Sequence, residues 1–140
     1  MNANGREEDL GAGGAELLHR ELVYKIVGCV LEVHKTLGHG LREKTYERAL
    51  CIEFRLQGIL FSQQSAYGVH YKGQRIDDYV PDLEVGGEVI VETKVADAIV
   101  DEHVGQVLNY LRVSGKKVGL IINFKHPKLE WKRVVLETAR

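Results

Sequence analysis

Two carboxylates and an ammonium group lie close together in the stretch VPDLEVGGEVIVETKV: Asp82, Glu92 and Lys94. Gly86-Gly87 between them is a turn signal, flanked by Leu83, Val85, Val89 and Val91 in the pattern of a β-hairpin. Side chains alternate faces along a strand, so Ile90, Glu92 and Lys94 share one face. Val89, Val91, Thr93 and Val95 take the other. Matching apolar to apolar residues across the hairpin pairs Val85 with Val89 and Leu83 with Val91. That register needs a loop of Gly86-Gly87-Glu88 and sets Asp82 opposite Glu92. A two-residue Gly-Gly turn would instead set Asp82 against Val91, on the wrong face.

Burying such a group of charges costs several kcal/mol unless something compensates. A divalent cation does so, and hard carboxylate oxygens suit Mg²⁺ or Mn²⁺, which keep several waters and take one or two carboxylates. A lysine beside such a site can orient an attacking water or stabilise charge developing on a phosphate. The bland reading is a surface hairpin with a cross-strand ion pair.

A chain of 140 residues predicts one compact domain. We place it at residues 15–140, after an acidic, Gly-rich tail at residues 1–14 that has little to bury. The net charge is -1, which gives no global signature of a nucleic-acid binder. The charge is uneven, however: from Arg112 to Arg140 eight Lys/Arg face two Glu. A local basic face and a merely solvated surface both fit that distribution. Cys29 and Cys51 sit among apolar residues, as buried thiols do, and two cysteines give no zinc spacing. No apolar run is long enough to span a bilayer and no signal peptide is visible, so the expectation is a cytoplasmic protein without a membrane partner.

The elements that must position the hairpin follow from periodicity. Leu18, Leu22, Ile26, Val30 and Val33 predict a helix over about Ala15–Leu37, stopped by Gly38 and Gly40. Tyr46, Ala49, Leu50 and Phe54 predict a second over about Leu41–Gln57, ended by Gly58. Strands are expected over Ile59–Tyr71, Arg75–Val85 and Glu88–Val95, then a helix over Asp101–Ser114. KVGLIINF, Lys117–Phe124, reads as a strand covered on both faces, and Trp131–Leu136 as a shorter one. The order is α-α-β-β-β-α-β-β, an α/β (α+β) arrangement with a mixed sheet flanked by helices.

Three further groups could join the hairpin. Gly40-Leu41-Arg42-Glu43-Lys44-Thr45-Tyr46 reads G-x-x-E-x-x-Y. If Gly40 caps the second helix, Glu43 falls at its third position, where a carboxylate favours the helix dipole. Tyr46, one turn on, reads as a packing residue with a hydrogen-bonded hydroxyl. Gln106 and Tyr110 share a helix face, with His103 one turn earlier. An ordinary polar flank of an amphipathic helix explains them too, and His103 reads as a surface histidine. Asp78 falls on the same expected strand face as Asp82, as an outer-shell or simply solvated group.

Pro81-Asp82, a short gap, then Glu92-x-Lys94 resembles the PD-(D/E)XK nuclease superfamily. The element order matches that superfamily's restriction-endonuclease-like α-β-β-β-α-β core. The G-x-x-E-x-x-Y motif, the Gln106-x-x-x-Tyr110 helix and the Val118–Phe124 segment together resemble the small prokaryotic GxxExxY group within it, from about Leu22 to Val135. The resemblance implies a Mg²⁺- or Mn²⁺-dependent nuclease acting on nucleic acid, DNA more than RNA. It implies a catalytic set of Asp82, Glu92, Lys94 and Gln106. The implied metal ligands are Asp82, Glu92, the Thr93 carbonyl and Glu43, with Gly40, Tyr46 and Tyr110 in support. Lys94 would position or help deprotonate the attacking water. A small domain offers little surface to a duplex, which is compatible with a homodimer. The alternative is a catalytically inactive nuclease-fold scaffold within a larger assembly, which a degraded site would mark. Here all three hairpin residues are present.

Overall fold

A computed structural model describes residues 19–137. The expected tail at residues 1–14 and the start of the first expected helix lie outside the described residues. Helix α1, Arg20–Leu37, buries Val23, Ile26, Val27, Val30 and Val33, the stripe its periodicity marks. Helix α2, Glu43–Leu56, packs beside it through Tyr46, Leu50, Cys51 and Phe54. Both cysteines are free and buried.

The strands are β1 Phe61–Gln63, β2 Tyr67–Tyr71, β3 Gln74–Tyr79, β4 Leu83–Val85 and β5 Val89–Lys94; after helix α3, Asp101–Ser114, come β6 Val118–Asn123 and β7 Glu130–Val135. Five strands form one sheet in the order β1-β4-β5-β6-β7, and β2 and β3 form a separate ribbon. The β5–β6 pair is parallel and α3 makes the crossover between them; the other pairs are antiparallel. The sheet is therefore mixed, as expected. Helices α1 and α2 cover one face, packing on Leu83, Val85, Val89, Val91, Leu120 and Ile122. Helix α3 covers the other through Val107 and Leu111, against Ile90, Ile121 and Val134. Strand β6, central and covered on both faces, is buried at every position, which is why its sequence is continuously apolar. A Cβ on Gly119 would lie 2.5 Å from Val107 Cγ1, so this glycine lets α3 approach the sheet.

Two expected strands each divide. The span Ile59–Tyr71 becomes β1 in the main sheet and β2 in the ribbon, because Gln64 turns left-handed at φ 57 and leads the chain off the sheet. The span Arg75–Val85 breaks after Tyr79. Pro81 there has no N–H to give a ladder. The break separates Asp78 from Asp82: Asp78 lies on the exposed ribbon and pairs with Arg75 at 2.6 Å, away from the hairpin. A two-stranded ribbon is marginal alone. This one is tied down by the Tyr67 hydroxyl, which donates to the Glu84 carboxylate, and by the Tyr79 ring, edge-on to Tyr110 at 5.9 Å.

Candidate active site

The hairpin takes the register its apolar pattern demands, with Leu83 opposite Val91 and Val85 opposite Val89. Gly86 and Gly87 carry φ of 64° and 71°, conformations that would strain a side-chain-bearing residue. Asp82 lies one step beyond β4, at the open end. Its N–H donates to Glu92 Oε2 at 2.6 Å. Thr93 returns two bonds, its N–H and Oγ1 donating to Asp82 Oδ2 at 2.9 and 3.0 Å. The two carboxylates thus meet across the end of the hairpin, each held by the other strand's backbone.

Both are uncomfortable as anions. Burial, and then the charge of Asp82, push Glu92 up to about 8, against opposing help from the Asp82 N–H and Lys94. Burial also raises Asp82, partly offset by the Thr93 bonds, with Glu47 and Glu43 adding to the rise. Glu92 is only 4% exposed. Two neighbouring carboxyls that are both disfavoured as anions gain from a cation placed against them.

Lys94 closes the strand on the α3 side. Its Nζ donates to Gln106 Oε1 at 3.0 Å, and Gln106 Nε2 donates to the Tyr110 hydroxyl at 3.3 Å. Gln106 and Tyr110 therefore stand one turn apart and reach the hairpin together. Burial, followed by the charges of Glu92 and Asp82, lifts Tyr110 to about 12. His103 does not join them: its Nδ1 accepts the Val100 N–H at 3.1 Å, at the start of α3.

The G-x-x-E-x-x-Y segment frames the other side. Gly40, at φ 83°, donates its N–H to Phe124 O at 2.9 Å. The fully buried Tyr46 stacks on Phe124 at 4.0 Å. Its hydroxyl donates to Gly38 O at 2.9 Å and accepts the Leu41 N–H at 3.0 Å. Tyr46→Phe is expected to cost about 1–3 kcal/mol, because two loop groups lose their partner. Thermal melts check this, and an unchanged melt would show that the hydroxyl is dispensable. The helix begins later than expected: its N-cap is Arg42, so Glu43 occupies the first helical position and not the third. From there Glu43 Oε2 accepts the Val95 N–H at 3.1 Å, just past the end of β5.

Periodicity alone hides two further groups. Asn123, 1% exposed, bonds both the N–H and the C=O of Ala96, at 3.1 and 2.8 Å, and donates to Glu130 Oε1 at 2.9 Å. It pins the chain leaving β5. An amide at the end of an all-apolar strand was the available signal, since a buried amide needs partners. Glu47, 2% exposed, stands on the inner face of α2 one turn after Glu43. A charge within an apolar stripe marks it. From the basic C-terminal stretch, Lys116 is engaged by Glu84 at 3.1 Å and Lys125 by Asp97 at 2.6 Å.

A divalent ion at the hairpin end would draw on few protein donors. Among the described residues no three His, Cys, Asp or Glu side chains converge as a metal cage. Glu43 accepts the Val95 N–H through Oε2 and makes no hydrogen bond to either carboxylate, though its charge is felt by Asp82. Asp82 and Glu92 use Oδ2 and Oε2 for the bonds above, which leaves the second oxygen of each without a protein donor among the described residues. The Thr93 N–H faces Asp82, and in a strand the carbonyl of the same residue faces the same neighbour. Two carboxylates and a carbonyl suit a hard ion that keeps most of its waters, as Mg²⁺ does. The residues fit such an ion as an open site and not as a closed one.

A model of the PD-(D/E)XK nuclease superfamily matches residues 20–134. No curated protein matches. An alkaline exonuclease from Laribacter hongkongensis superposes with a TM-score of 0.51 at 12% identity, over 67% of this chain and 55% of that one. The structure of a protein named SSO0001 superposes with a TM-score of 0.56 at 10% identity, over 88% of this chain and 62% of that one. This chain thus spans less than two thirds of either. At such identities the likeness is one of fold. Among the described residues no helix is long and apolar enough to cross a membrane.

Proposed function

The chain belongs to the PD-(D/E)XK nuclease superfamily, and on that premise we propose that it is a metal-dependent phosphodiesterase of the GxxExxY group, cleaving nucleic acid, DNA in preference to RNA. The observation that carries this reading is the complete Asp82–Glu92–Lys94 set, with two buried carboxyls, both raised above their ordinary values, joined across the hairpin end and an ammonium two residues further along the strand. Asp82 and Glu92 are the protein ligands for Mg²⁺ or Mn²⁺. The Thr93 carbonyl is on their side, and Glu43 completes the acidic lining. The ion supplies Lewis-acid polarisation of the scissile phosphate and charge neutralisation at the leaving oxygen.

The chain's own residues do the rest. Gln106 Oε1 takes one N–H of Lys94 and fixes the ammonium's direction; Tyr110 fixes Gln106 in turn. The remaining Nζ donors are then aimed, before substrate arrives, at the water that attacks phosphorus and at the oxygens on which charge develops. The water's oxygen bonds to phosphorus, the bond to one ribose or deoxyribose oxygen breaks, and that oxygen gains the proton.

The test is a panel of end-labelled single- and double-stranded DNA and RNA incubated with the full chain, with Mg²⁺, Mn²⁺ or EDTA. Cleavage that needs the metal and favours DNA is expected. No cleavage of any substrate with either metal would return the chain to the other reading, a quiet nuclease-fold scaffold. A homodimer, suggested by the small size of the domain, is checked by sedimentation in the same buffers.

A further inference from the structure

Glu47 carries a charge where the sequence leads one to expect a core residue. It sits between Tyr46 and the Leu50 turn of α2 at 2% exposure. Three donors meet it: Lys44 Nζ reaches Oε1 at 3.0 Å, and Gln63 Nε2 and Gln64 Nε2 both reach Oε2 at 2.9 Å. A buried anion is kept only when its oxygens are satisfied in this way. With both oxygens engaged, Glu47 is poorly placed to serve as a metal ligand. What it anchors is more informative.

Gln64 is one of three non-glycine residues with positive φ among the described residues, at 57°. Such a conformation is strained in a residue that carries a side chain and persists only where its surroundings impose it. Its side chain is held by Glu47, and its N–H donates to the backbone carbonyl of Asp82 at 2.9 Å. Asp82 needs that tie. It follows Pro81, lies beyond the last β4–β5 pair, and takes no ladder bond of its own. Its position rests on three neighbours: Glu92 at its N–H, Thr93 at its carboxylate, and Gln64 at its carbonyl.

We propose that Glu47 is a positioning residue: by holding Gln64 in its left-handed conformation, it fixes the main chain of Asp82 and so the aim of the Asp82 carboxylate. The path runs from α2 through the end of β1 to the open end of the hairpin. Its consequence for cleavage rests on the nuclease reading; the structural link itself does not.

The test exploits the difference between alanine and glycine at an exposed position, since Gln64 is solvent-facing and its replacement leaves the core intact. Glu47→Met replaces both acceptor oxygens by an apolar chain of similar length and so releases Gln64. Gln64→Ala removes the anchor but keeps the strain. Both are expected to speed hydrogen exchange at the residue-64 amide about tenfold or more. Both are expected to weaken Mn²⁺ binding and lower kcat. The double variant Glu47→Met/Gln64→Gly is the decisive one, because glycine adopts positive φ without an anchor. It is expected to restore exchange protection, Mn²⁺ affinity and kcat together. A purely structural role for Glu47 would not be rescued by a change at residue 64. Unchanged exchange in Glu47→Met, or a defect that Gln64→Gly fails to relieve, would overturn the proposal. So would faster exchange with unaltered Mn²⁺ binding. If the unmodified chain neither binds Mn²⁺ nor cleaves, the nuclease reading fails, and the exchange measurements still decide whether Glu47 holds residue 64.

Discussion

Lys94→Ala is expected to lower kcat about 10²–10⁴-fold while leaving the fold and Mn²⁺ binding in place. The side chain is half-buried and makes one hydrogen bond, to Gln106, so its loss disturbs little packing. Chemically the loss is large. The only ammonium in this account that touches the attacking water or the phosphate disappears, and Gln106 has nothing left to aim. Lys94 also lowers the pKa of Glu92, so its removal pushes that carboxyl higher and moves the pH–rate profile of any residual activity upward. Lys94→Arg keeps the charge but replaces a compact ammonium by a planar fork, and recovers only part of the rate. Single-turnover cleavage with saturating Mn²⁺ measures the effect. A Lys94→Ala enzyme cleaving at the rate of the unmodified chain would remove lysine from the mechanism.

The second large effect concerns Glu92. Glu92→Gln keeps the carbonyl oxygen that accepts the Asp82 N–H but removes the charge, so Mn²⁺ binding and cleavage are both expected to vanish. Stability of the metal-free protein should move the other way. The folded value for Glu92, about 8, lies above its ordinary 4.5. Between these values the folded protein holds a proton that the unfolded chain has released. Stability of the unmodified chain therefore declines as pH rises from about 4.5 to about 8 and levels off beyond. Glutamine has no such proton. Melts in EDTA are thus expected to show Glu92→Gln close to the unmodified chain at pH 5 and more stable than it at pH 9. Added Mn²⁺ raises the Tm of the unmodified chain only. A variant destabilised equally at both pH values would mean that the buried carboxylate is structural.

These two residues, with Asp82, were legible because hairpin chemistry is local. The alternation of Leu83, Val85, Val89 and Val91 admits one register, and that register brings Asp82 to Glu92. Helix α3 was equally plain, bounded by Asp101 and Gly115, so Gln106 and Tyr110 could be placed on one face and were found joined to Lys94. The strands before the hairpin were harder. A period of two marks an extended chain but not the sheet it joins, and both Gln64 and Pro81 interrupt spans that alternate well. The start of α2 was misplaced for a similar reason: Gly40 looks like a cap, yet its N–H is taken by Phe124, distant in sequence. Glu47 was hidden most deeply. Its partners Gln63 and Gln64 come from another element, and nothing in α2 alone announces them. The reading of the fold survives these displacements because the two faces of the sheet are set by the apolar stripes, which were read correctly.

The central claim is that the Asp82–Glu92 pair is a divalent-metal site. Calorimetric titration of Mn²⁺ into the unmodified chain and into Asp82→Asn, in the same buffer, tests it most directly. Saturable heat is expected from the unmodified chain and none from the variant, whose melt in EDTA remains cooperative. Equal heats from the two proteins, or no heat from either, would contradict it and leave the hairpin a hydrogen-bonded corner of a nuclease-like fold.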